Sequence, residues 1–342
     1  LQFEYTDEQT ELEKLFGGFR HINAFGAIVR GDADRLLKLI ETAGVPPRTT
    51  VYINSPGGDA EEGIKLGCVI RTYGLETSIG TYALEPINDD DLIVARTLSS
   101  GKCLSAATLM FAGGRLRHFP DGARFGVHRF AYKNPVPEDV EKSQVLSAGI
   151  AEFLDQMGVS LGFLSLSAGT ASDKHLELGE DELREHRMVT GGATEVVWGT
   201  EMRSQMLYVR GTRDSVYGRH KVILTHAKDV GFMFFAVIEA QGRQDELCNF
   251  GVVEIVVNGE DQRIDISWRC SREPNNVDVV LMAKLTEEEA RQLAYSNSFG
   301  VQIRASKEAE VFLGVSAMDT EGGQESLRSL YENMKTSSAP IT

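Results

Sequence analysis

Three stretches of the sequence carry the residue types that acyl-transfer chemistry requires. VYINSPGGDA, from Val51 to Ala60, reads as a buried strand that stops at a Pro-Gly-Gly turn and enters a helix. Two glycines let the backbone take conformations closed to other residues and approach a ligand without a Cβ in the way, so amides exposed there can donate to an oxyanion. GKCLSAATLMFAGG, from Gly101 to Gly114, places Ser105 where a strand or loop turns into a helix, and Ala106 and Ala107 keep the space behind it small. A hydroxyl in that position projects from a helix end whose partial positive charge favours a developing anion. RHFPDGARFGVHRF, from Arg117 to Phe130, ends the apolar strand RFGV at His128. Its ring then stands at the carboxyl end of a strand, where open α/β sheets place ligands. Taken singly, these features are a turn, a helix N-cap and a structural histidine. Together they supply a nucleophile, a base and oxyanion donors from separate segments, which is what acyl transfer needs.

The segments around them supply a scaffold. From Ile22 the pattern runs strand (AFGAIV), Asp-capped turn (GDAD), amphipathic helix (RLLKLIETAG) and strand (TTVYIN). After Pro56 come the helix EEGIKLGCVIRTYG, the strand LETSIGTYA, an acidic loop (NDDD) and a helix starting near Ser105. Strands alternating with helices of this length predict a parallel sheet covered on its faces. Before it, Tyr5 to Lys14 is mostly charged, with a thin apolar stripe of Leu12, Leu15 and Phe16, and predicts a peripheral N-terminal arm or short helix. Val140, Val145, Ile150, Phe153, Leu154 and Met157 recur at helical spacing, predicting a long, projecting helix over 137–158. Past Trp198 the texture changes to short alternating strands such as KVILTH, VVEIVV, IDISW and VQIRA. One helix interrupts them (LTEEEARQLAYSN), and another lies near Gln324 to Met334. The expected organisation is an arm (1–18), an α/β domain (19–200), a smaller all-β, sandwich-like domain (201–334) and a disordered tail (335–342).

The 342 residues suit two domains with separate cores. A net charge of −15 repels phosphate backbones, which argues against nucleic acid as a partner. The longest apolar stretch, Gly231 to Ile238, is too short to span a bilayer. Cys68, Cys103, Cys248 and Cys270 lack metal-ligand spacing and the histidines do not cluster with them, so no metal site is expected. VVEIVV and IDISW read as a hairpin about Asn258-Gly259, whose ladder would bring Cys248 opposite Cys270 within disulfide reach. The alternative is two buried thiols, since the bond needs an oxidising compartment. A chain opening at Leu1 rather than Met is read as a mature secreted chain or a trimmed one.

The order YINSPGG, then G-x-x-x-S-small-small-x-L-M-x-A-G, then R-x-x-P and a histidine after a short strand, with 23 residues from Ser105 to His128, resembles the ClpP family of serine proteases. It is most similar to that family's divergent bacterial periplasmic relatives. The likeness covers about 19–200 and implies a ClpP/crotonase-like parallel-sheet fold, with Ser105 as nucleophile, His128 as base and the amides of Gly58 and Ala106 as the oxyanion hole. It implies a peptide or protein substrate, no cofactor, self-association through the 137–158 helix, and a periplasmic or secreted location, with the cytoplasm as alternative. Aligning the family's acid-bearing segment on HRMV (His186 to Val189) puts His175 at the acid position. Asp173 lies two residues earlier, on the same face of an extended segment, and carries the charge an imidazolium needs. Asp173 is therefore the expected third member, with a dyad completed by a backbone carbonyl or water as the alternative. Two other functions compete: a non-catalytic ClpP-fold protein that binds a peptide or partner protein, and an acyl-CoA-binding crotonase, whose chemistry does not require this serine and histidine.

Overall fold

The computed structural model describes every residue except 17, 88–90, 130–138, 172–174, 204, 260–261 and 336–342. Two compact units divide the chain, Leu1–Gly192 and Ala193–Thr342. The boundary thus falls at the Gly191-Gly192 pair and not at residue 200. Thr200 lies inside a strand, β11 below, that pairs along its whole length within the second unit. All but Lys335 of the expected tail lies outside the described residues.

The first unit opens with a strand, which corrects the expected peripheral arm. β1 (Gln2–Thr6) runs antiparallel to β2 (His21–Phe25), with Gln2 opposite Phe25 and Thr6 opposite His21. Between them, α1 (Glu11–Phe16) is anchored by polarity rather than by its thin apolar stripe. The buried Glu13 carboxylate accepts two bonds from Arg96, at 2.8 and 2.9 Å, and amide bonds from Gln9 and Val94 at 2.7 and 2.8 Å.

The β-α-β pattern then appears. α2 (Asp32–Ala43), β3 (Thr50–Asn54), α3 (Ala60–Thr72) and β4 (Glu76–Ile79) follow β2, and β2, β3 and β4 pair in parallel. Asp59 caps α3 by accepting the Glu62 amide at 3.0 Å, one of the orphan donors every helix start must satisfy. Beyond Gly80 the chain forms β5 (Thr81–Leu84), within the predicted strand LETSIGTYA, and β6 (Arg96–Ser99), its antiparallel partner, where the sequence suggested a loop. β7 (Lys102–Leu104), α4 (Ala107–Ala112), β8 (Arg117–His118) and β9 (Arg124–Val127) carry the chemistry-bearing segments. α5 (Asp139–Gln156), α6 (Gly162–Gly169), β10 (Leu176–Glu177) and α7 (Glu180–Glu185) complete the unit. The main sheet has the order β1-β2-β3-β4-β8, and a smaller one runs β10-β9-β7, with β7 and β9 parallel.

Ile22, Val51 and Ile53 from the strands and Leu66, Ile70 and Phe111 from the helices are fully buried in one core. Each contributes roughly 1.5–3 kcal/mol of apolar burial. α5 joins this core rather than projecting: Ile150, Phe153 and Leu154 are buried, and the Phe153 ring lies over Gly67 of α3, where any side chain would collide with it. Residues 137 and 138 of the expected helix lie outside the described residues.

The second unit contains β11 (Val197–Arg203), β12 (Met206–Ser215), β13 (Gly218–Ala227), β14 (Gly231–Glu239), α8 (Gln244–Asn249), β15 (Val252–Val257), β16 (Gln262–Asp265), β17 (Cys270–Asn275) and β18 (Asp278–Lys284). It ends with α9 (Glu287–Tyr295), β19 (Ser298–Arg304), β20 (Leu313–Asp319) and α10 (Gln324–Lys335). Two antiparallel sheets, β11-β12-β13-β14-β18-β17 and β16-β15-β19-β20, share a core built from alternate strand residues such as Leu224, Phe234, Ile255 and Val301. Helices contribute Leu293, Leu327 and Leu330 to that core, so the unit is β-rich rather than all-β. The β15–β16 hairpin pairs Glu254 with Asp265 and Val257 with Gln262, one residue away from the predicted register, and its ladder stops at Asp265. Cys248 lies in α8 and Cys270 opens a strand of the other sheet, so no ladder sets them opposite one another; all four cysteines are free thiols.

Candidate active site

Ser105 and Ala106 lie between β7 and α4, and Ser105 has φ 54°, in the left-handed region. That conformation is sterically costly for a residue with a side chain and persists only where its surroundings enforce it. Here they do. On one side the ladder continues through Leu104, whose amide donates to Ser55 O at 3.1 Å, and through the Ser105 amide, which donates to Gly126 O at 2.9 Å. On the other side, helix α4 starts on the Ser105 carbonyl, which accepts from the Thr108 amide at 2.9 Å and the Thr108 hydroxyl at 2.7 Å. Chain direction has to reverse between these two commitments at one residue. The N-cap of α4 is Ala106, and no side chain caps the helix, so the ordinary explanation for a serine at a helix start does not apply.

The Gly-Gly turn lies against this residue. A Cβ on Gly57 would stand 2.5 Å from Leu104 O and 2.8 Å from Ser105 Cβ, so only glycine allows the approach. The Gly57 amide donates to the hydroxyl of buried Ser55 at 3.1 Å, and the Asp59 amide donates to Ile28 O at 3.1 Å. Ile28 in turn donates to Gly57 O at 2.8 Å. Of the three successive amides, Gly58 alone has no acceptor among the described residues, and the Ala106 amide beside Ser105 has none either. Backbone amides without an acceptor can donate to a developing oxyanion.

His128 follows β9 directly and is partly exposed. Its Nδ1 lies 2.8 Å from the Arg129 carbonyl oxygen. A carbonyl can only accept, so Nδ1 carries a proton. The Arg129 amide donates to Thr170 O at 3.0 Å, which fixes the carbonyl's own peptide chain. Across the β9–β10 ladder Leu176 pairs with Val127, so His175 stands opposite His128; the two ring centres are 4.8 Å apart with planes at 83°. Burial, and then the charge of His128, lower the His175 pKa below that of an ordinary histidine. The residue that strict alignment offers as the acid is therefore the one packed on His128. Asp173, the expected acid, lies outside the described residues.

Ser105 and His128 line one crevice, walled by Leu109, Val127, Ile150, Leu154 and Phe163. Its free volume of about 10 Å³ holds no more than one water. Sequence reasoning missed two participants. Ser55 precedes the Pro-Gly-Gly turn and is completely buried, a small polar residue at a strand end that could have been singled out. The Arg129 carbonyl had no signal, because every residue has a carbonyl.

No protein-family model and no curated protein matches the chain. Among solved structures it is similar to a ClpP1 mutant from Listeria monocytogenes, at 18% identity and a TM-score of 0.35, covering 49% of this chain and 86% of that one.

Proposed function

We propose that the first unit is a ClpP-like serine hydrolase acting on peptides or proteins. Ser105 Oγ attacks the scissile carbonyl carbon while Nε2 of His128 takes the hydroxyl proton, and the resulting oxyanion is received by the Gly58 and Ala106 amides. Collapse of the tetrahedral intermediate breaks the C–N bond, and the amine leaves with the proton from His128. Water then repeats the sequence on the acyl-serine, releasing the acid and regenerating Ser105. The Arg129 carbonyl holds the imidazole in the tautomer this requires. No step calls for a cofactor.

One observation carries the reading: Ser105 is held at φ 54°, against the Gly57 turn, with an imidazole lining the same crevice. The test is hydrolysis of a mixed peptide library, read by mass spectrometry. Ser105→Ala and His128→Ala are expected to abolish the cleavages made by the wild-type chain; cleavage that survives both substitutions sinks the assignment. Self-association through α5 would have to use its exposed face, where Val145 is 74% exposed, since Ile150, Phe153 and Leu154 are committed to the core.

A non-catalytic, peptide-binding role is favoured by one observation. Ser105 is only 9% exposed and the crevice beside it is the size of a water, so a substrate side chain enters only if α5 or α6 gives way. A library that is bound but never cleaved would support that role.

A further inference from the structure

We propose that His128 and His175 form a two-imidazole site for a borderline divalent cation of the Zn²⁺ class, and that its occupation switches the hydrolase off. The switch rests on the reading of His128 as the base. The two residues are 47 positions apart in sequence and meet because antiparallel pairing of β9 and β10 sets them opposite each other at the ladder's end.

Three features make the pair a chelate rather than a chance contact. Zinc bonds imidazole nitrogen at about 2.0–2.1 Å, so two imidazoles on one tetrahedral ion have ring centres roughly 5 Å apart; here they are 4.8 Å apart before any ion is present. Next, metal-bound imidazoles commonly donate their other nitrogen to a carbonyl or carboxylate, which fixes the tautomer. His128 already makes this bond, from Nδ1 to the Arg129 carbonyl at 2.8 Å. Finally, His175 is exposed, so an ion can reach its ring. On the same two strands Arg124 is ion-paired with Glu177, so its charge is offset beside a bound cation.

Among the described residues no group of three or more His, Cys, Asp and Glu gathers to hold a metal. Among the described residues the pair offers two protein ligands, with water to complete the shell. That composition suits a reversible inhibitory site rather than a structural one, which is closed by four protein ligands. A cation on Nε2 of His128 takes the lone pair that would otherwise accept the Ser105 proton.

The test is Zn²⁺ titration of the full chain by calorimetry, alongside fluorophosphonate labelling with and without the ion. Wild type should bind one Zn²⁺, and His175→Ala and His128→Ala should each weaken binding at least ~10-fold. His175 is exposed, so replacing it should leave the fold intact, and His175→Gln provides a second variant. Zn²⁺ should slow wild-type labelling with the midpoint of the binding curve, and a chelator should restore the rate. Binding to His175→Ala as tight as to wild type, or an undiminished labelling rate at saturating Zn²⁺, overturns the proposal. If metal-free wild type takes no probe at all, the hydrolase reading falls and the switch with it, while calorimetry still decides the metal site.

Discussion

Gly57→Ala tests whether the Gly-Gly turn positions the nucleophile. The new Cβ would stand 2.5 Å from Leu104 O and 2.8 Å from Ser105 Cβ, against the ~3.5 Å at which carbon atoms pack. The two segments must separate by roughly 0.7 Å, and neither yields easily. Leu104 and Ser105 are both bonded into the ladder, and Gly57 is held by Ser55 and Ile28. Displacement therefore falls on the distance between the Ser105 hydroxyl and the Gly58 amide. A misplacement of about 1 Å can cost ~10²-fold in rate, so labelling by a fluorophosphonate should slow by about two orders of magnitude. The backbone penalty of a side chain at φ 93° adds about 1–3 kcal/mol, a few degrees of melting temperature. Gly26→Ala is the matched control. It has φ 98° and nothing within 4 Å of its Cβ position, so it incurs the same backbone penalty without the clash and should label normally. A folded Gly57→Ala protein that labels at the wild-type rate would refute the placement of the turn against the nucleophile.

Two further substitutions probe the scaffold. Hydrogen bonds from Arg96, outweighing the effect of burial, hold the Glu13 carboxyl down at about 2, against an ordinary 4.5. Its stabilisation is fully present above pH 4.5 and is lost as pH falls through about 2. Between about pH 5 and about pH 3 wild type should lose at most about 2 kcal/mol more than Glu13→Gln in urea unfolding; parallel pH dependences in the two proteins would contradict this. Buried Arg117 donates to the carbonyls of Ala112, Gly114, Met157, Arg187 and Met188 at 2.7–3.3 Å. Arg117→Leu leaves those groups without their donor at roughly 1–3 kcal/mol each, so the first unit should fail to fold. A cooperative melt near the wild-type temperature would show that the carbonyls find other donors.

What was legible in the sequence was whatever depends on neighbours in the chain. The strand endings at Asn54 and Val127, the glycine pair and the helix start after Ser105 follow from local pattern, and they locate the crevice. What depends on distant pairing was not legible. The first residues looked like a charged arm because β1 is held by a ladder with β2 and α1 by the Glu13–Arg96 contact, neither of which leaves an apolar stripe. The β15–β16 ladder stops at Asp265, with Cys248 in α8 and Cys270 in a strand of the other sheet, so the hairpin gives no basis for pairing them. The orientation of His128 depends on the carbonyl of its own successor, and the contact with His175 on a short ladder between β9 and β10. A sequence shows the residue types at those positions without showing that they meet.

The most direct measurement is covalent modification of the full-length chain by a fluorophosphonate, with the adduct located by peptide mass spectrometry. One adduct per chain on Ser105, absent from Ser105→Ala, is the predicted result. A wild-type chain that takes up no probe, or an adduct that persists undiminished in Ser105→Ala, would contradict the assignment of Ser105 as an activated nucleophile.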